Sequence, residues 1–261
     1  MKLRKLILPL LAASAIPANA ALLGHYTFDA DTLGVQADGT VLSDGGVVGG
    51  SAGGSVSIVA GGPSGGNYAS FSPTTDGLEG VAAPHLSAGP GATVGALGIT
   101  GADNYTMAAF VRFNNQTGDN MIFGGSSGDV LHLGARNAQY HSGHWGDDLN
   151  SGATSTEAGA WHHVAFTNTT GGLQEIFLDG VNIASGNAPG TGAYTANVNE
   201  ILLIGTSRNG GSLNGDIDDV RVYNEVLSGA AIGALAGIPE PSGTALIGLS
   251  GLALILRRRR S

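Results

Sequence analysis

The strongest structural signal in the sequence is the stretch from Gly159 to Val181, GAWHHVAFTNTTGGLQEIFLDGV. Side chains alternate in character from Trp161 to Asn168, which is the two-residue period of a β-strand with two different faces. Thr169–Gly172 predicts a tight turn, because its two glycines accept the positive φ angles that hairpin loops require. The second strand, Gln174–Leu178, ends at the turn dipeptide Asp179–Gly180. The stretch therefore predicts a β-hairpin, around which the remaining strands must pack.

Short apolar or alternating segments, separated by glycine-rich connections, recur along the whole chain. The sequence contains 45 glycines in 261 residues, and these predict frequent turns between short strands. The predicted strands cover 22–28, 67–71, 104–114, 121–123, 130–133, 200–205 and 213–223. The segment 82–101 predicts a loop, and 228–236 predicts a short helix. The fold class is therefore all-β, an antiparallel sandwich of two packed sheets.

The two ends of the chain have the composition of targeting signals. Residues 1–20 combine a basic start, a short apolar core and a small-residue end, which predicts a helical secretory signal peptide. At the other end, 238–261 contains Pro239-Glu240-Pro241, an apolar run from Thr244 to Leu256 and four arginines. That run of 13 residues predicts a short hydrophobic helix, shorter than the roughly 17–25 residues of a spanning helix. The arginines favour the cytoplasmic side, which places a single domain, residues 21–237, outside.

The predicted domain is strongly acidic. Of the 20 acidic residues only Glu240 lies in the tail, so residues 21–237 carry 19 acidic side chains against four arginines and no lysine. A surface with this charge disfavours nucleic acid and anionic lipid as partners. It is compatible with calcium, which prefers oxygen ligands. Cysteine is absent, so an exported domain of this sequence folds without disulfide bonds.

Four segments together resemble the laminin G-like jelly rolls, relatives of the concanavalin A-like lectins and glucanases. They are GHYTFD, YTMAAFVRF, AGAWHHVAFT with IFLDGVNIASG, and LNGDIDDVRVYNEVLSGAAIGAL. Their order and spacing match the family from about Leu22 to Leu235. Phe110 stands where the family pattern has tryptophan, and Ala231 where it has an acidic residue. The resemblance implies a two-sheet jelly roll, and this motif recurs in non-catalytic members.

The tail resembles the PEP-CTERM sorting signal of Gram-negative bacteria. Pro239, Glu240 and Pro241 precede the apolar run and the basic terminus, in that signal's order. The resemblance implies transient anchoring in the inner membrane, recognition by an exosortase and cleavage near the motif. After signal peptidase has removed the leader, the processed protein is expected at the cell surface or in the extracellular matrix.

A cluster of aromatic, histidine and acidic residues in a loop-rich region is a candidate carbohydrate-binding site. Aromatic faces beside polar groups recognise amphipathic ligands such as sugars. The cluster comprises Tyr140, His141, His144, Trp145, Asp147 and Asp148. The alternative is an edge strand with exposed polar side chains. A zinc site at His141 and His144 is a further alternative that lacks an evident third protein ligand.

Two other groups of residues invite a functional interpretation. His162 and His163 are neighbours in a strand and point to opposite faces, so they predict packing within the sandwich rather than one metal site, with Trp161 in the core. The family resemblance suggests that Asp29 and Asp218 lie close together and bind Ca²⁺ at a strand edge. Turn capping by Asp29 and an ion pair between Asp218 or Asp219 and Arg221 are the alternative.

The sequence contains no E-x-D-x-x-E pattern of the kind that glucanases of this fold use for paired carboxylates. The favoured hypothesis is therefore a secreted, non-catalytic module that binds an extracellular polysaccharide or a glycoprotein glycan. Two alternatives are open: a purely structural matrix or adhesion protein without a specific ligand, and a divergent polysaccharide-degrading enzyme.

Overall fold

The computed structural model describes residues 22–29, 53–75, 78–79, 83–87, 93–99, 103–115, 118–126, 131–144, 147–152, 158–187, 199–208 and 210–237. These residues form strands and one short helix. The strands are β1 (Leu22–Tyr26), β2 (Gly54–Ala60), β3 (Asn67–Pro73), β4 (Leu86–Ser87), β5 (Tyr105–Phe113), β6 (Asp119–Gly125), β7 (Leu131–Arg136), β8 (Gln139–His144), β9 (Leu149–Asn150), β10 (His162–Asn168), β11 (Leu173–Leu178), β12 (Val181–Asn187), β13 (Leu202–Ile204) and β14 (Gly215–Tyr223). The helix is α1 (Gly229–Leu235).

The strands make two antiparallel sheets. The eight-stranded sheet has the order β12-β11-β10-β5-β14-β3-β2, with β1 paired to the second half of β14. The six-stranded sheet has the order β4-β13-β6-β7-β8-β9. The predicted all-β sandwich of two antiparallel sheets is confirmed.

Strand alternation places the core between the sheets. On β5, the side chains of Met107, Ala109 and Val111 are fully buried in this core. Leu131 and Leu133 of β7 belong to the same core from the opposite sheet. Apolar side chains on the inner faces of both sheets supply the burial that stabilises the sandwich.

A second apolar cluster lies on the outer face of the eight-stranded sheet, beneath α1. Ile232 of the helix is fully buried against Ala108, Ala165 and Phe177. Ser228 caps the helix by accepting a hydrogen bond from the Ala231 amide at 3.2 Å. The predicted helix at 228–236 is confirmed, and it covers apolar side chains on the sheet that would otherwise face water.

The predicted hairpin forms β10 and β11, and its second turn leads directly into β12. Asp179 and Gly180 adopt positive φ angles of 48° and 75°, as a two-residue hairpin turn requires. The expected loop at 82–101 contains a strand, and the segment with the candidate carbohydrate-binding residues, interpreted as loop-rich or alternatively as an edge strand, forms a strand that is paired on both sides. Leu86–Ser87 pairs with β13, and residues 139–144 form β8 between β7 and β9.

The predicted signal helix (1–20) and the hydrophobic tail helix (238–261) lie outside the described residues. Within those residues, no helix has the length and apolar character needed to cross a membrane.

Candidate functional site

Strand alternation along β8 divides the predicted carbohydrate-binding residues between two faces. Tyr140 and His144 point into the sandwich and are 2% and 1% exposed, whereas His141 points to the outer face. Because a sugar stacks only on an accessible ring, Tyr140 and His144 do not offer such a surface. Trp145 lies outside the described residues. The loop-rich interpretation of this segment did not predict this division, since alternation applies only to a strand. The edge-strand alternative is wrong as well, because β8 pairs with both β7 and β9 and its polar side chains are buried.

His144 joins the two sheets through a hydrogen bond across the core. Its Nε2 atom lies 2.7 Å from the Tyr105 hydroxyl on β5. Burial lowers the pKa of His144 to about 3 and raises the pKa of Tyr105 well above its usual range. The tyrosine therefore stays protonated, and its hydroxyl donates a hydrogen bond to the neutral imidazole.

A second polar connection between the sheets runs through Gln174 of β11. The Ser142 hydroxyl donates to the Gln174 side-chain oxygen at 2.6 Å, and the Gln174 amide donates to the Asp147 carbonyl at 2.7 Å. Asp147 is consequently held at the end of the core and is 8% exposed. These contacts position β8 and β9 relative to the other sheet.

The outer face of the six-stranded sheet carries a compact group of titratable side chains. His132 Nε2 lies 3.2 Å from Asp148 Oδ1, and His141 Nε2 lies 4.0 Å from the same oxygen. The two imidazole rings are stacked, with centroids 4.9 Å apart. Burial lowers the pKa of His141 to about 4, and the hydrogen bond from His132 lowers the pKa of Asp148. Of the described residues, these three alone form a His/Asp group with the spacing to hold a metal ion.

The outer face of the eight-stranded sheet carries an aromatic and charged patch that sequence analysis did not identify. We call Tyr68, Arg112, Trp161 and Asp216 the aromatic patch. Arg112 lies over both rings, 5.2 Å from the Tyr68 centroid and 4.8 Å from that of Trp161. Its Nε donates to Asp216 at 2.7 Å and an Nη donates to the Tyr68 hydroxyl at 3.1 Å. The two rings meet edge-to-face with centroids 5.3 Å apart, and both are partly exposed.

The prediction that Trp161 lies in the core is wrong. The alternation along β10 is as predicted, but Val164 and Phe166 occupy the inner face, so Trp161 belongs with His163 and Ala165 on the outer face. The period of two fixes which residues share a face. It does not fix which face meets the other sheet.

His162 and His163 point to opposite faces, as predicted. His162 Nδ1 lies 2.8 Å from Asp179 Oδ2, and the His163 amide donates to Asp179 Oδ1 at 2.9 Å. The His163 ring packs edge-to-face on Phe110, with centroids 5.1 Å apart. The carboxylate of Asp179 thus connects the Asp179–Gly180 turn to the two histidines at the start of β10.

Asp29 and Asp218 both contact the turn between β2 and β3. Asp218 Oδ2 accepts from the Ser64 hydroxyl at 2.5 Å, and its Oδ1 accepts from the Asp219 amide at 2.7 Å. Asp29 Oδ1 accepts a hydrogen bond from the main-chain N–H of Asn67 at 2.8 Å. A calcium ion at Asp218 would have to displace these hydrogen bonds, so the residues present fit turn capping better than Ca²⁺ coordination. The calcium site stays a prediction.

The part of the chain from β4 into α1 matches a known protein family. The Laminin_G_3 model, described as the concanavalin A-like lectin/glucanases superfamily, matches residues 86–233, more than half of the chain. The chain belongs to this family. The laminin G-like resemblance is thereby confirmed, whereas the PEP-CTERM tail lies outside the match. No curated protein matches the sequence.

Several solved structures share the fold of this domain. Domain 4 of an extracellular arabinanase from Geobacillus stearothermophilus, in complex with arabinotriose, is 20% identical with a TM-score of 0.60, over 83% of this chain and 98% of that one. The binding domain of botulinum neurotoxin DC, in complex with rat synaptotagmin II, is 12% identical with a TM-score of 0.57, over 85% of this chain and 52% of the other.

A third structure comes from a study of botulinum neurotoxin type C entry through two ganglioside molecules. It is 11% identical with a TM-score of 0.52, over 84% of this chain and 50% of the other. The chain thus spans about half the length of the two toxin domains. At these identities the likeness establishes the fold alone.

Proposed function

We propose that this domain binds extracellular carbohydrate chains without cleaving them, and that the aromatic patch is the binding surface. The observation that carries the proposal is the arrangement of Tyr68, Arg112 and Trp161 on one sheet face. Partly exposed aromatic rings supply apolar area for a sugar ring, while the guanidinium, which the buried Asp216 carboxylate holds in place, supplies hydrogen bonds to its hydroxyls. The structural neighbour in complex with arabinotriose supports carbohydrate as the ligand class.

The contacts within the patch favour binding because they fix its geometry before a ligand arrives. Arg112 is held between two rings and one carboxylate, so its planar donor group loses little freedom when a sugar binds. Only 28% of its side chain is exposed. This arrangement therefore limits the entropic cost of recognition.

Binding can be tested with arabinotriose and a polysaccharide panel, using calorimetry and the tryptophan fluorescence of the full chain. The chain has two tryptophans: Trp161 belongs to the aromatic patch, and Trp145, a candidate ligand residue from the sequence, lies outside the described residues. Trp161→Ala is expected to weaken binding about tenfold or more, because one aromatic contact contributes on the order of 1 kcal/mol beyond its buried area. Val181→Ala, an exposed apolar truncation on β12, is the matched control and should leave binding unchanged.

The same experiment separates the competing hypotheses. If Trp145→Ala removes binding and Trp161→Ala does not, binding depends on Trp145 and the aromatic patch is not the site. If the wild-type protein binds no member of the panel with calcium present, the carbohydrate proposal fails. A purely structural matrix protein would give that outcome.

The absence of cleavage is testable on the same panel. The missing E-x-D-x-x-E pattern supports a non-catalytic module. We expect no release of reducing ends from any polysaccharide. Turnover that disappears in Asp147→Asn or Asp148→Asn would contradict this and would favour a divergent enzyme.

Export and sorting complete the proposal. The basic and apolar leader at 1–20 and the Pro239-Glu240-Pro241 tail support export across the inner membrane of a Gram-negative bacterium, followed by exosortase processing. The product is released to the cell surface or matrix. Replacing the three motif residues with alanine should leave the uncleaved chain in the membrane fraction, as measured by immunoblotting. Unchanged processing would contradict the sorting role.

A further inference from the structure

The group of His132, His141 and Asp148 is a different feature from the aromatic patch and lies on the other sheet. His132 comes from β7, His141 from β8, and Asp148 stands immediately before β9. Leu131, Leu133 and Tyr140 point into the core, so alternation directs both histidines to the outer face. Two adjacent strands, β7 and β8, and the residue that leads into β9 therefore bring one donor each to the same place.

The distances match those of a metal site. The ligand atoms all lie within 4.8 Å of one another, and the two distances to Asp148 Oδ1 are 3.2 and 4.0 Å. Donors bound at about 2.0–2.1 Å around a tetrahedral zinc ion lie about 3.4 Å apart. Small side-chain rotations are enough to reach that spacing.

The hydrogen bonding of His141 points its unprotonated nitrogen at the group. Its Nδ1 lies 2.8 Å from the Asn150 side-chain oxygen, which can only accept a hydrogen bond, so Nδ1 carries the hydrogen and Nε2 carries the lone pair. That Nε2 is buried and makes no hydrogen bond, and the residue is 1% exposed. A buried, unpaired acceptor is unfavourable unless something binds it.

Because Gly143 has no side chain, it leaves room for His132 and Asp148 to lie close together. A Cβ atom at this position would collide with His132 Nε2 and would lie 2.5 Å from Asp148 Oδ1. The glycine has an ordinary φ, so the close approach of these side chains, rather than backbone conformation, requires it.

From these observations we propose that His132, His141 and Asp148 bind one divalent transition metal ion, for which Zn²⁺ is the best match. Two imidazoles and one carboxylate suit zinc and its first-row neighbours, whereas Ca²⁺ and Mg²⁺ prefer oxygen ligands throughout. Asn150 orients His141 as an outer partner. Three protein ligands leave a fourth position, and the 35% exposed side chain of Asp148 places it within reach of solvent. His144, which the sequence suggested as a zinc ligand together with His141, points to the opposite face of β8, into the core.

The test uses tag-free, full-length protein and competition for Zn²⁺ with a chromophoric chelator. The wild type should bind one ion per chain. His141→Ala and Asp148→Asn should each weaken binding more than 100-fold, and Asn150→Ala about 10- to 100-fold. His162→Ala, which removes a histidine paired with Asp179 on the other sheet, is the matched control and should keep wild-type affinity.

Two further measurements keep the proposal falsifiable if a variant is unstable. Gly143→Ala adds one methyl group and should abolish binding while circular dichroism stays that of the wild type. Co²⁺ added to the wild type should give the visible absorption of a four-coordinate site, which Asp148→Asn loses. No binding by the wild type, or equal losses in His162→Ala and His141→Ala, would overturn the proposal. Neither outcome bears on carbohydrate binding by the aromatic patch.

Discussion

At the residue scale, the polar side chains inside the sandwich are as informative as the apolar ones. Tyr105 and His144 come from different sheets, and each satisfies the other in a region that water does not reach. Buried polar groups destabilise a fold unless they are paired. The pair therefore specifies how the two sheets are placed relative to each other.

Tyr105→Phe tests this pairing. The change removes the hydroxyl donor and leaves His144 Nε2 without it, so the free energy of unfolding should fall by about 1–3 kcal/mol in urea titrations. The double variant Tyr105→Phe, His144→Leu makes both positions apolar and should recover part of the loss. Strictly additive losses in this double-mutant cycle would contradict coupling between the two side chains.

At the element scale, the β10–β11–β12 meander is held by Asp179. Its carboxylate accepts from the His162 ring and the His163 amide, and its own amide donates to the His163 carbonyl at 2.7 Å. The residue also adopts a positive φ of 48°, which asparagine and aspartate tolerate better than most residues.

Asp179→Ala should therefore lower the free energy of unfolding by about 2 kcal/mol, because it removes two hydrogen bonds and strains the turn. Asp179→Asn, which keeps one acceptor oxygen and tolerates the turn, should cost clearly less. Glu175→Ala on the neighbouring strand removes only an exposed contact to Asn182 and should change stability by less than about 0.5 kcal/mol. Thermal or urea unfolding gives all three values, and equal effects at 175 and 179 would contradict this role.

At the scale of the whole molecule, buried histidines make stability depend on pH. Burial lowers the pKa of His141 to about 4, of His144 to about 3 and of His163 to about 4. In the unfolded chain these groups take up protons near pH 6.5. Between about pH 6.5 and 4 the unfolded state therefore binds more protons than the folded state.

Stability should consequently fall as the pH is lowered through this window. Each histidine contributes up to about 1.4 kcal/mol per pH unit, so the free energy of unfolding at pH 5 should be several kcal/mol below its value at pH 7. Urea unfolding at pH 7, 6 and 5, with a metal chelator present, measures the slope. The Tyr105→Phe, His144→Leu variant should show a shallower slope, because it lacks one of the buried histidines. A stability that rises toward pH 5 would contradict the assignment.

The local features of the fold follow from the sequence. The hairpin turns, the inner face of β5 and the helix after β14 depend on neighbouring residues, through backbone pleat and turn conformation. For the same reason the opposite orientations of His162 and His163 could be predicted. The Laminin_G_3 family was also evident, because its segments are contiguous stretches of sequence.

Both candidate sites depend on tertiary structure. Tyr68 and Arg112 are 44 residues apart and Arg112 and Asp216 are 104 apart, so the aromatic patch exists only because β3, β5, β10 and β14 pair in one sheet. The pairing of β7, β8 and β9 likewise brings together His132, His141 and Asp148. Alternation determines which residues share a face of one strand. The order of the strands, and which face meets the other sheet, are set by long-range packing, and that packing placed Trp161 on the surface and His144 in the core.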